Sequence, residues 1–274
     1  MKKNLIIIIV FLCFGKGITQ TKRFFYNLTF KIDSINIKKD VVVLEINKDH
    51  NSFFSNDYLV TDSLNDRDGA KFEFAYPKFQ KIVKWNKNDN SLDIFNSLGG
   101  INYYEYKTHK TISWVLCNDI KKIGIYTVQK ATAKYGGRDW VAWFTNEIPF
   151  SYGPYVFNGL PGLILEIYDA KENYHFIFIQ NKNFNKEIDF SKIIEKKYLG
   201  VNKIKIQEKD WKAVQLNYYN NPIPEYKTGL EAMMLKDDGT KYTAKDYREV
   251  EKNIQRVIKK YNNPIELDEK IDYP

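Results

Sequence analysis

Cysteine is nearly missing from this chain: among 274 residues only Cys13 and Cys117 occur. If Cys13 belongs to a removable leader, no pair remains for an internal disulfide, so a disulfide-stapled fold is excluded. Cys117 ends the apolar run Ile112 to Cys117, where a small buried residue is expected rather than a nucleophile. Histidine is as scarce. His50, His109 and His175 lack metal-ligand spacing, and each reads as a surface or strand residue. There is no H-E-x-x-H, C-x-x-C, G-x-S-x-G or phosphate loop, so the common zinc-hydrolase, thiol-redox, serine-hydrolase and nucleotide-binding signatures are all missing. No cofactor and no metal is implied. Beyond the first 20 residues no apolar run is long enough to cross a bilayer as a helix.

Acidic residues are in deficit, which gives a formal charge of +8 and a pI near 9.1. Lysines are interspersed with acids rather than clustered, so the surface reads as solvated and mildly basic, with no nucleic-acid partner. Met1 to about Gln20 has the form of a secretory leader: Lys2 and Lys3, then the apolar stretch Leu5 to Phe14. Leu12 is too large for the position before a lipidated Cys13, so soluble export with cleavage near Thr19 or Gln20 is expected. Residues 21–274 then form one β-rich domain. Without Lys2, Lys3 and Lys16 the charge falls from +8 to +5.

Aromatic residues are abundant, with 20 Tyr and 18 Phe, which favours strands. Strands are expected over Phe24 to Ile32, Val41 to Ile46, Lys71 to Tyr76, Lys81 to Trp85, Ser91 to Phe95, Tyr103 to Tyr106 and Thr111 to Cys117. Asp66 to Gly69, Asn86 to Asn90 and Gly99-Gly100 supply turns. Gly136-Gly137 makes a hairpin turn into Asp139 to Thr145, with Trp140, Ala142 and Phe144 on one face and Val141 and Trp143 on the other. Both faces are apolar, so this strand should be central and covered. Pro161-Gly162 fits a type II turn, leading into the strand Leu163 to Ile167 and a returning strand from Tyr174.

The C-terminal part changes texture. Asp210 to Tyr219 has Trp211, Val214 and Tyr218 at helical spacing. Thr243 to Tyr261 is the clearest helix, with Thr243 as N-cap and Asp246 at the third position of a capping box. Its stripe of Tyr247, Val250, Ile254, Val257, Ile258 and Tyr261 should pack on the sheet. The expected fold is mainly β (α+β): a curved, incompletely closed antiparallel sheet or half-barrel with C-terminal covering helices.

Gly159-Leu160-Pro161-Gly162-Leu163-Ile164 spells GLPGLI, and the chain resembles the GLPGLI family of bacterial envelope proteins. Lys130-Ala131-Thr132-Ala133, Gly137-Arg138, Ala142-Trp143-Phe144-Thr145, Ile148-Pro149 and Gly153-Pro154 fit the same pattern. So do Leu44-Glu45-Ile46, Ser52, Phe53, Ser55, Asp62 and Ser63, and the closing Asn263-Pro264-Ile265-Glu266-Leu267. Many members carry a cysteine where this chain has Val128. The resemblance implies a location in the envelope or periplasm of a Gram-negative-type bacterium. The tryptophan-rich central strands also resemble lipoprotein-carrier half-barrels, an analogy of fold alone.

Two functions fit. One is a non-enzymatic binding, carrier or accessory protein for an apolar ligand or an outer-membrane partner. Its ligand would lie between sheet and helices against Arg138, Trp140, Trp143, Phe157 and Leu163. The other is a hydrolytic enzyme with an unrecognised active site; Glu147, Glu166 and Asp169 could form a carboxylate pair, although such clusters are usually solvated or salt-bridged. Arg138 could hold an anion or stack on an aromatic ring; the plainer alternative is an ion pair with Glu147 or Glu166.

Overall fold

The computed structural model describes residues 21–68, 77–99, 102–188, 190, 203–224 and 235–274. The expected leader and the Lys71 to Tyr76 strand lie outside them. The strands are β1 (Thr21–Lys31), β2 (Ile37–Ile46), β3 (His50–Ser55), β4 (Ile82–Asn86), β5 (Ser91–Leu98), β6 (Asn102–Thr108), β7 (Val115–Ile123), β8 (Tyr126–Tyr135), β9 (Arg138–Thr145), β10 (Leu163–Asp169), β11 (Tyr174–Phe184) and β12 (Lys203–Lys205). The helices are α1 (Asp57–Asp68), α2 (Trp211–Asn220) and α3 (Ala244–Lys260).

One sheet contains all twelve strands in the order β12-β6-β5-β4-β3-β2-β1-β11-β10-β9-β8-β7. It consists of two antiparallel meanders, β1 to β6 and β7 to β11, joined where β1 pairs with β11. Only β12, on β6, is parallel. Among the described residues the sheet is not closed, and β7 and β12 are its two edges.

Connectivity forces the sheet to curve. Ten strand intervals separate β6 from β7, about 48 Å if the sheet lay flat. Residues 109–114 join them, and seven residue steps reach at most about 25 Å. The far sides of the sheet must therefore bend toward each other. Trp114 in this link donates from Nε1 to the Asn158 carbonyl at 2.8 Å, fastening it to the loop after β9.

The inner face carries the main core. Alternate residues Phe24, Tyr26, Leu28 and Phe30 of β1 meet Val42 and Leu44 of β2, Phe53 of β3 and Phe176 of β11. The loop between β9 and β10 lies over this face and buries Tyr155, Val156, Phe157 and Leu160. Tyr155 has a positive φ of 58°. On α2, Trp211 packs on Tyr104 and Tyr106 of β6, ring centroids 6.0 and 6.4 Å away.

Several expectations need correction. The first expected α-helix is real, but α3 buries none of its residues; it packs on α2, with Gln255 donating to the Tyr219 carbonyl at 2.9 Å. The seventh strand begins only at Val115 and forms an edge, so Cys117 is half-buried rather than buried. Strand β9 is covered on one face; Val141 and Trp143 on the other are half-buried. The Pro161-Gly162 turn is tighter than type II: Gly162 donates to the Leu160 carbonyl at 2.8 Å, and its φ is +157°. Strand β3 and helix α1 are additions to the elements expected from the sequence.

Candidate functional site

Arg138 opens β9 directly after the Gly136-Gly137 hairpin, and its side chain is buried. Nε donates to the Ile265 carbonyl at 2.8 Å, Nη1 to Asp169 at 3.2 Å, and Nη2 to Asn263 Oδ1 at 2.8 Å and the Pro264 carbonyl at 2.6 Å. The Tyr174 ring lies 5.0 Å from the guanidinium carbon. Its ion-pair partner is thus Asp169, not Glu147 or Glu166. Arg138 clamps the closing motif against the sheet.

The neighbouring residues complete that clamp. The Glu266 carboxylate, 4% exposed, accepts from the hydroxyls of Tyr135, at 2.9 Å, and Tyr155, and lies 3.6 Å from Lys110. Burial, then the Glu266 charge, pushes both tyrosines far above the ordinary tyrosine range. Glu269 receives Lys81 at 2.6 Å and Tyr106 at 3.2 Å. Gly136 has little choice of residue, because a β-carbon there would stand 2.9 Å from the Glu266 side chain.

The other sequence candidates separate by face. Trp140, Phe157 and Leu163 are fully buried on the inner face, with the Trp140 and Phe157 rings 4.6 Å apart. Trp143 lies on the outer face beneath Lys121, whose ammonium is 4.3 Å from its ring. The three carboxylates also part company. Glu147 caps the Thr127 amide, Glu166 pairs with Lys121 and with His175 at 2.9 Å, and Asp169 holds Arg138 and the Tyr174 amide. They do not form a catalytic pair. Among the described residues no cluster of His, Cys, Asp and Glu could hold a metal ion.

The outer face of β1, β2 and β11 carries a concave site among the described residues. Here Phe25, Val43, Phe54, Tyr58, Ile82 and Phe95 form a second core that α1 covers. Beside it is a groove of about 830 Å³, floored by Arg23, Phe25 and Val41, roofed by Leu59, Val60 and Leu64, and closed along one side by Ile179 and Phe184. Arg23 Nε donates to Glu45 at 2.6 Å, with both side chains buried, and the Phe184 ring lies 4.2 Å from the guanidinium. A buried pair of this kind is no measure of stability, since desolvation offsets its attraction. It does fix two charges beneath an apolar groove. The sequence signal was the alternation of Arg23 and Phe25 in β1, but it points nowhere without α1. Smaller hollows lie between α2 and the end of β5, about 650 Å³, and beside Phe150, about 280 Å³.

A family model described as a protein of unknown function, Porph_ging, matches residues 137–166. That stretch runs from the hairpin turn through β9 and the inner loop into β10. No curated protein matches the chain. Two solved structures of PNGF-II, in space groups P21 and C2, are similar in fold, with TM-scores of 0.51 and 0.50 and identities of 19% and 18%. Each match covers 71% of this chain and about a third of the other, 33% and 32%. At this identity the likeness is one of fold alone.

Proposed function

We propose that this chain is an exported, non-enzymatic binding protein of the bacterial cell envelope or periplasm, a carrier or accessory for an apolar ligand. The observation that carries this reading is the outer-face groove, whose size falls within the roughly 300–1,000 Å³ of small-molecule sites and whose walls are mainly apolar. The inner face supports it by contrast: there Tyr155, Phe157 and Leu160 of the chain's own loop occupy the sheet. On this reading the ligand lies on the opposite side of the sheet from Trp140, Phe157 and Leu163. The leader-like N-terminus and the GLPGLI resemblance support the envelope location. The match to a third of PNGF-II supports a fold that also serves as one part of a larger chain.

The test is to isolate the protein natively from its own envelope, extract it with organic solvent, and identify released compounds by mass spectrometry. Near-stoichiometric apolar material is expected, reduced in Ile179→Asp protein. A chain that releases nothing, and binds no environment-sensitive apolar dye at a saturable site, would refute the reading.

A further inference from the structure

We propose that the outer-face groove receives an acyl chain through an uncharged carbonyl head, an ester or amide, with Arg23 as the donor. This rests on the binding reading above and adds the chemical class of the ligand.

Among the polar residues that line the groove, Arg23 is the buried one. It is 7% exposed and lines the cavity. Its Nε is taken by Glu45 and its Nη2 donates to the Lys186 carbonyl at 3.0 Å. Nη1 has no hydrogen-bond partner among the described residues, and the Arg23 side chain lines the groove. With Nε and Nη2 both engaged and the Phe184 ring 4.2 Å from the guanidinium carbon, the remaining donor has a fixed direction. In the open groove water can pair with this donor, and a ligand acceptor would take the place of that water.

Charge selects the kind of acceptor. Glu45 is wholly buried and already balances Arg23. On the lining, Lys182 and Lys186 stand against Asp62 and Glu187, so the groove has no net charge to offer an anion. A carboxylate placed on Nη1 would put a second negative charge beside the buried Glu45, where like charges disfavour ionisation. A neutral carbonyl accepts the same hydrogen bond without that repulsion, much as the Lys186 carbonyl does on Nη2. The walls of Phe25, Val41, Leu59, Val60 and Ile179 then suit a saturated chain. Val60 and Ile179, 49% and 43% exposed, are apolar surface such a chain would cover.

The experiment titrates the full chain at pH 7 with a dansyl-labelled dodecanoyl methyl ester, the same probe as free acid, and an alkyl probe lacking the carbonyl. Saturable one-to-one binding of the ester is expected, at least tenfold tighter than either other probe. Val60→Asp and Ile179→Asp, at exposed positions compatible with folding, should weaken it tenfold or more. The paired change Arg23→Met with Glu45→Met leaves no orphaned buried charge and should erase the advantage of the ester over the alkyl probe. Equal or tighter binding of the acid overturns the neutral-head assignment. Ester binding that ignores both rim variants, or tighter binding of an apolar peptide, overturns the acyl site. If no probe binds while the envelope-derived protein still releases some other apolar compound, this inference falls and the binding reading stands; if it releases nothing, both fall.

Discussion

At Gly162 the chain passes so close to its neighbour that an added β-carbon would stand 2.0 Å from the Thr145 carbonyl oxygen. Gly124 makes a useful contrast: its φ is also positive, at +56°, but nothing lies within 4 Å of its missing β-carbon. Gly162→Ala is therefore expected to destabilise by at least about 1–3 kcal/mol, the usual range for forced overpacking. Gly124→Ala should cost only the backbone penalty, about 1–2 kcal/mol. Urea midpoints of the two purified variants check this, and equal losses would refute the steric account. The need for glycine after Pro161 was legible in the sequence, but its cause was not. The expected cause was turn geometry, whereas the contact with Thr145 comes from another segment. Glu166 gives a second prediction. Its hydrogen bond to His175, then that from Lys121, holds its pKa below the ordinary glutamate value. Because the folded pKa is the lower one, the stabilisation is present above about pH 4.3, the unfolded value, and is lost as pH falls through the folded pKa. The stability gap between wild type and Glu166→Gln should thus narrow on acidification in urea melts from pH 7 to 3. Parallel curves would count against it.

Helix α3 shows how far an element can be read locally. Thr243 accepts from the Asp246 amide at 3.3 Å, and Asp246 accepts in return from the Thr243 amide at 2.7 Å. The partners lie three positions apart, so this capping box was visible in the sequence. Asp246 is held down at about 2 by its bonds to the Thr243 hydroxyl and amide. The cap should accordingly survive above the ordinary aspartate value, about 3.9, and fail as pH drops toward 2. Thr243→Ala is expected to weaken the helix by about 1 kcal/mol. Faster amide exchange confined to the first turn of residues 244–260 checks it, and unchanged exchange there would exclude the cap. The destination of the helix was not local. Its apolar stripe predicts burial, but nothing in a stripe says whether sheet or α2 receives it. The reverse failure hid β3 and α1. Asn51, Ser52 and Ser55 look like turn residues yet are fully buried, and Asp57–Asp68 is too polar to show a face. Missing α1 also hid the groove that it roofs. The candidate site was therefore less legible than the fold.

For the whole molecule, strand number and antiparallel hairpins follow from short-range signals, and that part of the fold was legible. The joining of the meanders was not, because it rests on β1 pairing with β11, as in Phe30 with Tyr174, roughly 144 residues on. Closing a loop of that length costs about 4 kcal/mol from its chain-length dependence alone. Each meander can form by neighbour-to-neighbour pairing, so this ladder should be slow and late. Pulse-labelled hydrogen exchange during refolding is expected to protect β3 to β5 and β8 to β10 before the shared β1 and β11 amides. Simultaneous protection of all strands would exclude that order. The same pairing bears on a chain emerging from the ribosome. Strand β1 is made early, yet its partner arrives only at residues 174–184. Throughout that interval one flank of β1 offers unpaired backbone groups, with Phe24, Tyr26, Leu28 and Phe30 beside them, to any other extended polypeptide. The nascent chain thus depends on a holding factor, or on delayed collapse, until the last long strand is complete.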